Sequence, residues 1–161
     1  MAMVIDPKQL TAEKIEAAAK AFADMGTIRE LKGITDGEME AIYSLGYSFY
    51  TTGRYDDAEK VFRFLVLFDH LNPRYWTGLG AVQQVKKLYG DAVTSYGYAS
   101  FLDLENPKPQ YFAAECFLAM GDKDNALSSL AALEEYCPKN SEVGREYLAK
   151  AAELKAIIEK N

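Results

Sequence analysis

Apolar residues recur along this chain at helical spacing. Ile42, Leu45, Gly46 and Phe49 stand 3, 1 and 3 positions apart, which puts them on one face of an α-helix. Ala58, Phe62 and Leu65 stand 4 and 3 apart and mark a second helix. Gly53-Arg54 breaks the chain between the two, as Gly121-Asp122 does further on. Thr11 to Met25 predicts an N-terminal helix with Ile15, Ala18, Ala19, Phe22 and Met25 on one side, stopped by Gly26. A short turn, Thr27 to Leu31, follows. Thr27-x-x-Glu30 and Thr35-x-x-Glu38 both fit capping boxes. At the other end, Ser141 to Lys160 predicts a long amphipathic helix carrying Val143, Tyr147, Leu148, Ala151, Leu154 and Ile158.

The pattern repeats every 34 residues. Leu45-Gly46, Leu79-Gly80 and Ala113-Ala114 lie at that period, as do Ala58, Ala92 and Ala126. So do Phe62, Tyr96 and Leu130, and Leu65, Ala99 and Leu133. A 34-residue unit with a small residue at place 8 and Ala at place 20 resembles the tetratricopeptide repeat. The small residues let the two helices of a unit approach closely, and the large ones beside them fill the gaps. Pro73, Pro107 and Pro138 mark starts or ends of units, where a missing N–H costs least.

The expected fold is all-α, with three tandem helix-turn-helix repeats in a right-handed superhelical array. The repeats cover 39–72, 73–106 and 107–140, within one domain. Residues 1–38 and 141–161 serve as caps for the exposed ends of the stack. Three departures are visible. Gln83 stands opposite Phe49, and Gln110 stands where Ile42 and Trp76 stand. Lys87 replaces the turn glycine, with Gly90 placed to take over that turn.

In such a stack the first helix of each repeat lines the concave side. The stripe facing it runs through places 2, 5, 9 and 12 of each repeat. These are Glu40, Tyr43, Tyr47 and Tyr50, then Arg74, Thr77, Ala81 and Gln84, then Lys108, Tyr111, Glu115 and Leu118. Tyrosine offers a large apolar ring with a polar tip at low entropy cost. Ala81 and Thr77 leave room between rings for the apolar side chains of an extended peptide. Gln84, Arg74 and Glu115 are candidates to pair with its backbone. The alternative is that these tyrosines pack against the caps or each other. On the second helix of the first repeat, Phe64, Val66, Leu67 and Phe68 point away from the packing stripe. The N-terminal helix, the next repeat, a homodimer contact or a second partner surface would cover them.

Composition narrows the chemistry. The 161 residues include one histidine and two cysteines, which leaves no multi-His metal site or His pair. Cys116 and Cys137 are not a CxxC pair and read as two thiols of a reducing cytosol. Eighteen Lys and Arg against 24 Asp and Glu give a net charge of −6. With no basic block, neither nucleic acid nor an anionic membrane is the expected direct partner. The N-terminus lacks the pattern of a secretory signal. The longest apolar run, Val61 to Phe68, falls far short of the ~20 residues of a membrane span. Gly78-Leu79-Gly80 lacks the further glycines and lysine of a phosphate loop. His70 and Cys116 fall on separate repeats, so no nucleophile–base pair is expected, and no enzyme, metal or cofactor.

Particular stretches carry a closer resemblance. Leu31-Lys32-Gly33-Ile34, Tyr55 to Ala58, Phe62-Arg63-Phe64-Leu65, Gly78-Leu79-Gly80-Ala81 and Ala113-Ala114-Glu115-Cys116 resemble the class II chaperones of bacterial type III secretion. The resemblance covers about residues 25–137. It implies a chaperone of the Gram-negative cytoplasm that binds hydrophobic translocator proteins and keeps them soluble and secretion-competent. It further implies that an extended translocator segment lies in the groove, at Tyr43, Tyr47 and Tyr50. Homodimerisation and assistance to a transcriptional regulator are likewise implied by the resemblance alone. The carboxylate clamp of repeat proteins that hold heat-shock C-termini is not expected. At its five diagnostic places stand Tyr43, Tyr47, Gly78, Lys108 and Phe112, of which only Lys108 fits. The rival reading is a tetratricopeptide adaptor of some other assembly system.

Overall fold

A computed structural model of the protein describes residue 24 and residues 26–160. Apart from Asp24, the helix expected over Thr11 to Met25 lies outside the described residues. Among these, all regular structure is helical. The elements are α1 (Ile28–Lys32), α2 (Asp36–Thr51), α3 (Tyr55–Phe68), α4 (Pro73–Val85), α5 (Tyr89–Leu102), α6 (Pro107–Ala119), α7 (Lys123–Tyr136) and α8 (Glu142–Lys160). From α2 onward each helix packs on the next, and the first helices of successive pairs, α2, α4 and α6, also touch.

Local chemistry sets the boundaries. Thr27 and Thr35 form the two expected capping boxes, each hydroxyl accepting from the Glu N–H three residues on. Asn72 and Asn106 cap α4 and α6 by accepting from the N–H of Arg74 and Lys108, with Pro73 and Pro107 as the first helical residue. Each helix pair then turns in the same way. The N–H groups of Arg54, Leu88 and Asp122 donate to the carbonyls of Phe49, Gln83 and Phe117 at 2.8, 2.9 and 2.9 Å. These bonds need a left-handed residue just before the donor. Gly53 and Gly121 supply it with φ of +77° and +79°.

In the second repeat Lys87 itself takes φ +62°, and Gly90 lies inside α5 without a positive φ. The expected transfer of the turn to Gly90 is therefore corrected. The bond from Leu88 to Gln83 fixes where the chain must reverse, and Gly90 is three residues too late. A non-glycine residue pays roughly 1–2 kcal/mol in this region. Lys87 is exposed, so nothing is lost with its side chain. Lys87→Gly is expected to stabilise the fold by up to about 1 kcal/mol, after the extra unfolded-state entropy of glycine. Urea unfolding checks this as a higher midpoint at unchanged slope.

The anchor columns form the core. Ala58, Ala92, Ala126, Leu65, Ala99, Leu130 and Leu133 are fully buried, and Phe62 and Tyr96 nearly so, at 2% and 1% exposure. The small partners explain which large residue fits. A Cβ on Gly46 would sit 3.2 Å from the Phe62 ring, and one on Gly78 only 2.2 Å from it. A Cβ on Gly80 would sit 2.7 Å from the Tyr96 ring. Where the third repeat has Ala114 instead, the facing residue is the smaller Leu130. Aromatic ring plus glycine and leucine plus alanine are two fillings of the same space.

Two expected core positions are exposed. Leu45 is 48% exposed although Leu79 and Ala113, its mates at the 34-residue period, are buried at 3% and 7%. Those two face the second helix of a preceding repeat, and α2 has no such repeat before it. Val143 is 41% exposed because Gly144, not Val143, meets the α7–α8 connection. Tyr147, Ala151 and Ile158 of α8 are buried and close the end of the stack as expected.

Ion pairs fasten the first two repeats. The buried Glu59 carboxylate accepts from Lys86 and Arg63, both at 2.6 Å, and Lys86 also reaches Asp56 at 2.6 Å. Lys86 therefore pins the end of α4 to the first half of α3. It also holds the Glu59 carboxyl below its ordinary range, with Arg63 adding to the effect. Arg29 of α1 binds Asp36, Asp69 and the Ile34 carbonyl, tying α1 to the start of α2 and the end of α3.

Candidate functional site: a groove along the first helices

Two adjoining cavities run across α2, α4 and α6. The first, of about 320 Å³, is lined by Tyr43, Tyr47, Tyr50, Arg74, Thr77, Ala81 and Lys108 of the expected stripe. The second, of about 570 Å³, is lined by Tyr50, Ala81, Gln84, Glu115 and Leu118. Tyr50 and Ala81 belong to both and mark the junction. Small Ala81 leaves the passage open, and the Tyr50 ring, 5.9 Å from Tyr55, forms its wall.

The stripe is wider than its spacing suggested. Gly78 and Phe112, both at place 6, line the first and second cavities, and Val85 and Ala119, both at place 13, line the second. Phe62 and Tyr96 reach the cavities from the second helices of their repeats. Their burial marked them as core, and the glycines in front of them are what open the space above. Asn106, already committed as a helix cap, lies at the rim.

The polar groups are partly committed to each other. Arg74 pairs with Glu40 at 3.1 Å and lies 4.4 Å above the Tyr43 ring. Glu40 and Arg74 hold place 2 of successive repeats, so the pair bridges neighbouring first helices. Gln84 donates to Glu115 at 3.1 Å and accepts from the Tyr96 hydroxyl at 2.7 Å. Each end of Gln84 makes one such bond, which fixes the carboxamide in place and leaves one N–H and one acceptor site for a further partner. Burial pushes the phenols of Tyr50 and Tyr96 above their ordinary value, so both stay neutral donors.

Tyr111 stands at the edge of the groove, its phenol beside Glu115. Its ring packs edge-on against Tyr147 of α8 at 5.5 Å, and it lines neither cavity. Here the packing alternative holds, because the cap helix reaches over the end of α6. The row on α3 divides as well. Val66 and Phe68 are half-buried against the first core cluster, while Phe64 and Leu67 are 37% and 60% exposed. Phe64 stacks on Phe68 at 4.1 Å. Both cysteines are free and buried. Burial, then the neighbouring Glu115, pushes the Cys116 thiol up to about 12, which keeps it unreactive at neutral pH. No helix among the described residues is long and apolar enough to cross a membrane.

Helix pairs at a 34-residue period, with lined cavities across their first helices, define a tetratricopeptide protein with a ligand-sized groove. The family model for the tetratricopeptide repeat matches residues 39–72 and 73–106. The low calcium response locus protein H of Yersinia pestis is 38% identical over 117 residues, 73% of this chain and 70% of that protein. Among solved structures, the type III secretion translocator chaperone SycD of Yersinia enterocolitica is 34% identical with a TM-score of 0.75, over 82% of this chain and 98% of that one. PcrH in complex with the chaperone binding region of PopD is 32% identical with a TM-score of 0.72, over 80% and 96%. PcrH comes from Pseudomonas aeruginosa. The chain belongs to this family of type III secretion translocator chaperones.

Proposed function

We propose that this protein is a chaperone of the Gram-negative cytoplasm that holds an extended, apolar segment of a hydrophobic translocator in the groove across α2, α4 and α6. Binding without turnover is the mechanism. The observation that carries it is the pair of cavities joined at Tyr50 and Ala81, each large enough for an apolar side chain. Relatives support the reading: SycD is solved with a peptide of the translocator YopD, and PcrH with the chaperone binding regions of PopD and PopB. An extended segment threads such a groove by placing spaced anchors in successive pockets while its backbone stays hydrated or bonds to rim groups. Tyr43, Tyr47, Tyr50, Thr77 and Ala81 would hold one anchor, and Leu118 with Phe112 the next.

Co-expression tests this. A hydrophobic translocator encoded beside this gene is expected to remain soluble and to co-purify with the chaperone. A translocator that stays insoluble in its presence would favour an adaptor of another assembly.

A further inference from the structure

The groove is electrically two-ended. At its first cavity Arg74 is already neutralised by Glu40, while Lys108 is exposed and forms no ion pair with a described residue, and the carboxylate that feels its charge, Glu146 of α8, is paired with Lys150 at 2.6 Å. At its second cavity the charged lining group is Glu115, half-buried, whose carboxylate accepts from the Gln84 amide. Gln84 and the Tyr111 phenol beside Glu115 are both neutral, so the carboxylate's charge at the cavity is uncompensated by them. Covering it with an apolar segment alone would strip its water without replacement, which opposes binding.

Lys108 and Glu115 stand on one helix, α6, seven positions apart. That is about two turns, or roughly 10.5 Å of rise. An extended or polyproline-like chain advances ~3.1–3.3 Å per residue. For the stretch of the segment that runs alongside α6 from the first cavity to the second, the two charges are matched by side chains about three residues apart, which in a polyproline-like chain also share a face. The shared wall of Tyr50 and Ala81 joins the two cavities.

We infer that the groove reads charge as well as apolarity. Its occupant is an extended segment with an acidic side chain at Lys108 and a basic side chain about three residues away at Glu115, beside the apolar anchors. The charges fix chain direction and reject segments of the opposite order, a specificity that the apolar pockets alone lack. This inference rests on the groove being the segment-binding site.

The probe is a set of fluorescent twelve-residue peptides with the same two leucine anchors. They carry Asp and Lys three residues apart, Lys and Asp in the reverse order, or Ser at both places. The wild-type protein is expected to prefer one charged order over the Ser peptide by about tenfold at low salt, fading as salt rises. Lys108→Ala should narrow the gap between the two charged orders to what Glu115 alone supplies, and Lys108→Ala combined with Glu115→Gln should remove it. Lys108→Glu combined with Glu115→Lys should prefer the other order, with circular dichroism confirming unchanged helicity. An order preference that persists in the Lys108→Ala, Glu115→Gln double variant, or its absence in wild type, overturns the inference alone. Failure of every peptide to bind, or full binding by Ala81→Trp, overturns the groove reading and the inference with it.

Discussion

Replacing Phe62 with alanine is expected to destabilise the protein by about 3–5 kcal/mol, as for other fully buried aromatic residues. The ring is 2% exposed and lies between Gly46 and Gly78, on two neighbouring first helices. It also meets the Tyr43 ring edge-on at 5.6 Å. It is thus the shared filler of the first two repeats, and removing it leaves a cavity that the two rigid helix pairs cannot close. A loss of that size is a large part of the ~5–15 kcal/mol available to a typical domain. A second substitution makes the packing account specific. Gly78→Ala places a Cβ where the Phe62 ring already stands, so alone it should cost about 1–3 kcal/mol by overpacking. In the Phe62→Ala background that space is empty, and the same change should gain up to about 1 kcal/mol from helix propensity. Urea unfolding of the four proteins gives the coupling directly. Equal effects of Gly78→Ala in both backgrounds would contradict the fit of ring to glycine.

The largest effect on binding is expected from Ala81→Trp. Ala81 lines both cavities, so one indole there obstructs the passage between them. Translocator binding should weaken by at least roughly 100-fold, the scale of losing a central hot spot. Ala81 is half-buried and opens onto the groove, so helicity and the unfolding midpoint should change little. Tyr50→Ala is the complementary test. It removes the wall at the same junction without adding bulk, and about a tenfold loss is expected.

Much of this was legible in the sequence because repetition multiplies a weak signal. One helical face of four residues is ordinary, but four columns recurring at one period fix both the helices and their buried sides. The same register brings Tyr43, Tyr47 and Tyr50 together, and all three line the first cavity. What escaped depends on neighbours that spacing does not describe. Leu45 sits on the correct face, yet periodicity does not say that α2 stands first in the stack. Tyr111 is in groove register, yet Tyr147 approaches it from a helix outside the repeat. Lys87 carries the turn because its backbone is held by the bonds on either side, which its side chain does not announce. The bonds of Gln84 were not readable because its partners Tyr96 and Glu115 come from two other helices. One pairing was readable and unused: Glu40 and Arg74, opposite charges at the same place of adjacent repeats, meet as neighbouring first helices must.

A translocator segment is expected to occupy the tyrosine-lined groove. Isothermal titration of the co-purifying translocator's chaperone-binding segment into wild type, Tyr47→Ala and Tyr50→Ala tests it most directly. Weaker binding by both variants at unchanged helicity, with Tyr50→Ala the more affected, is the predicted result. Equal affinity for all three proteins would contradict it.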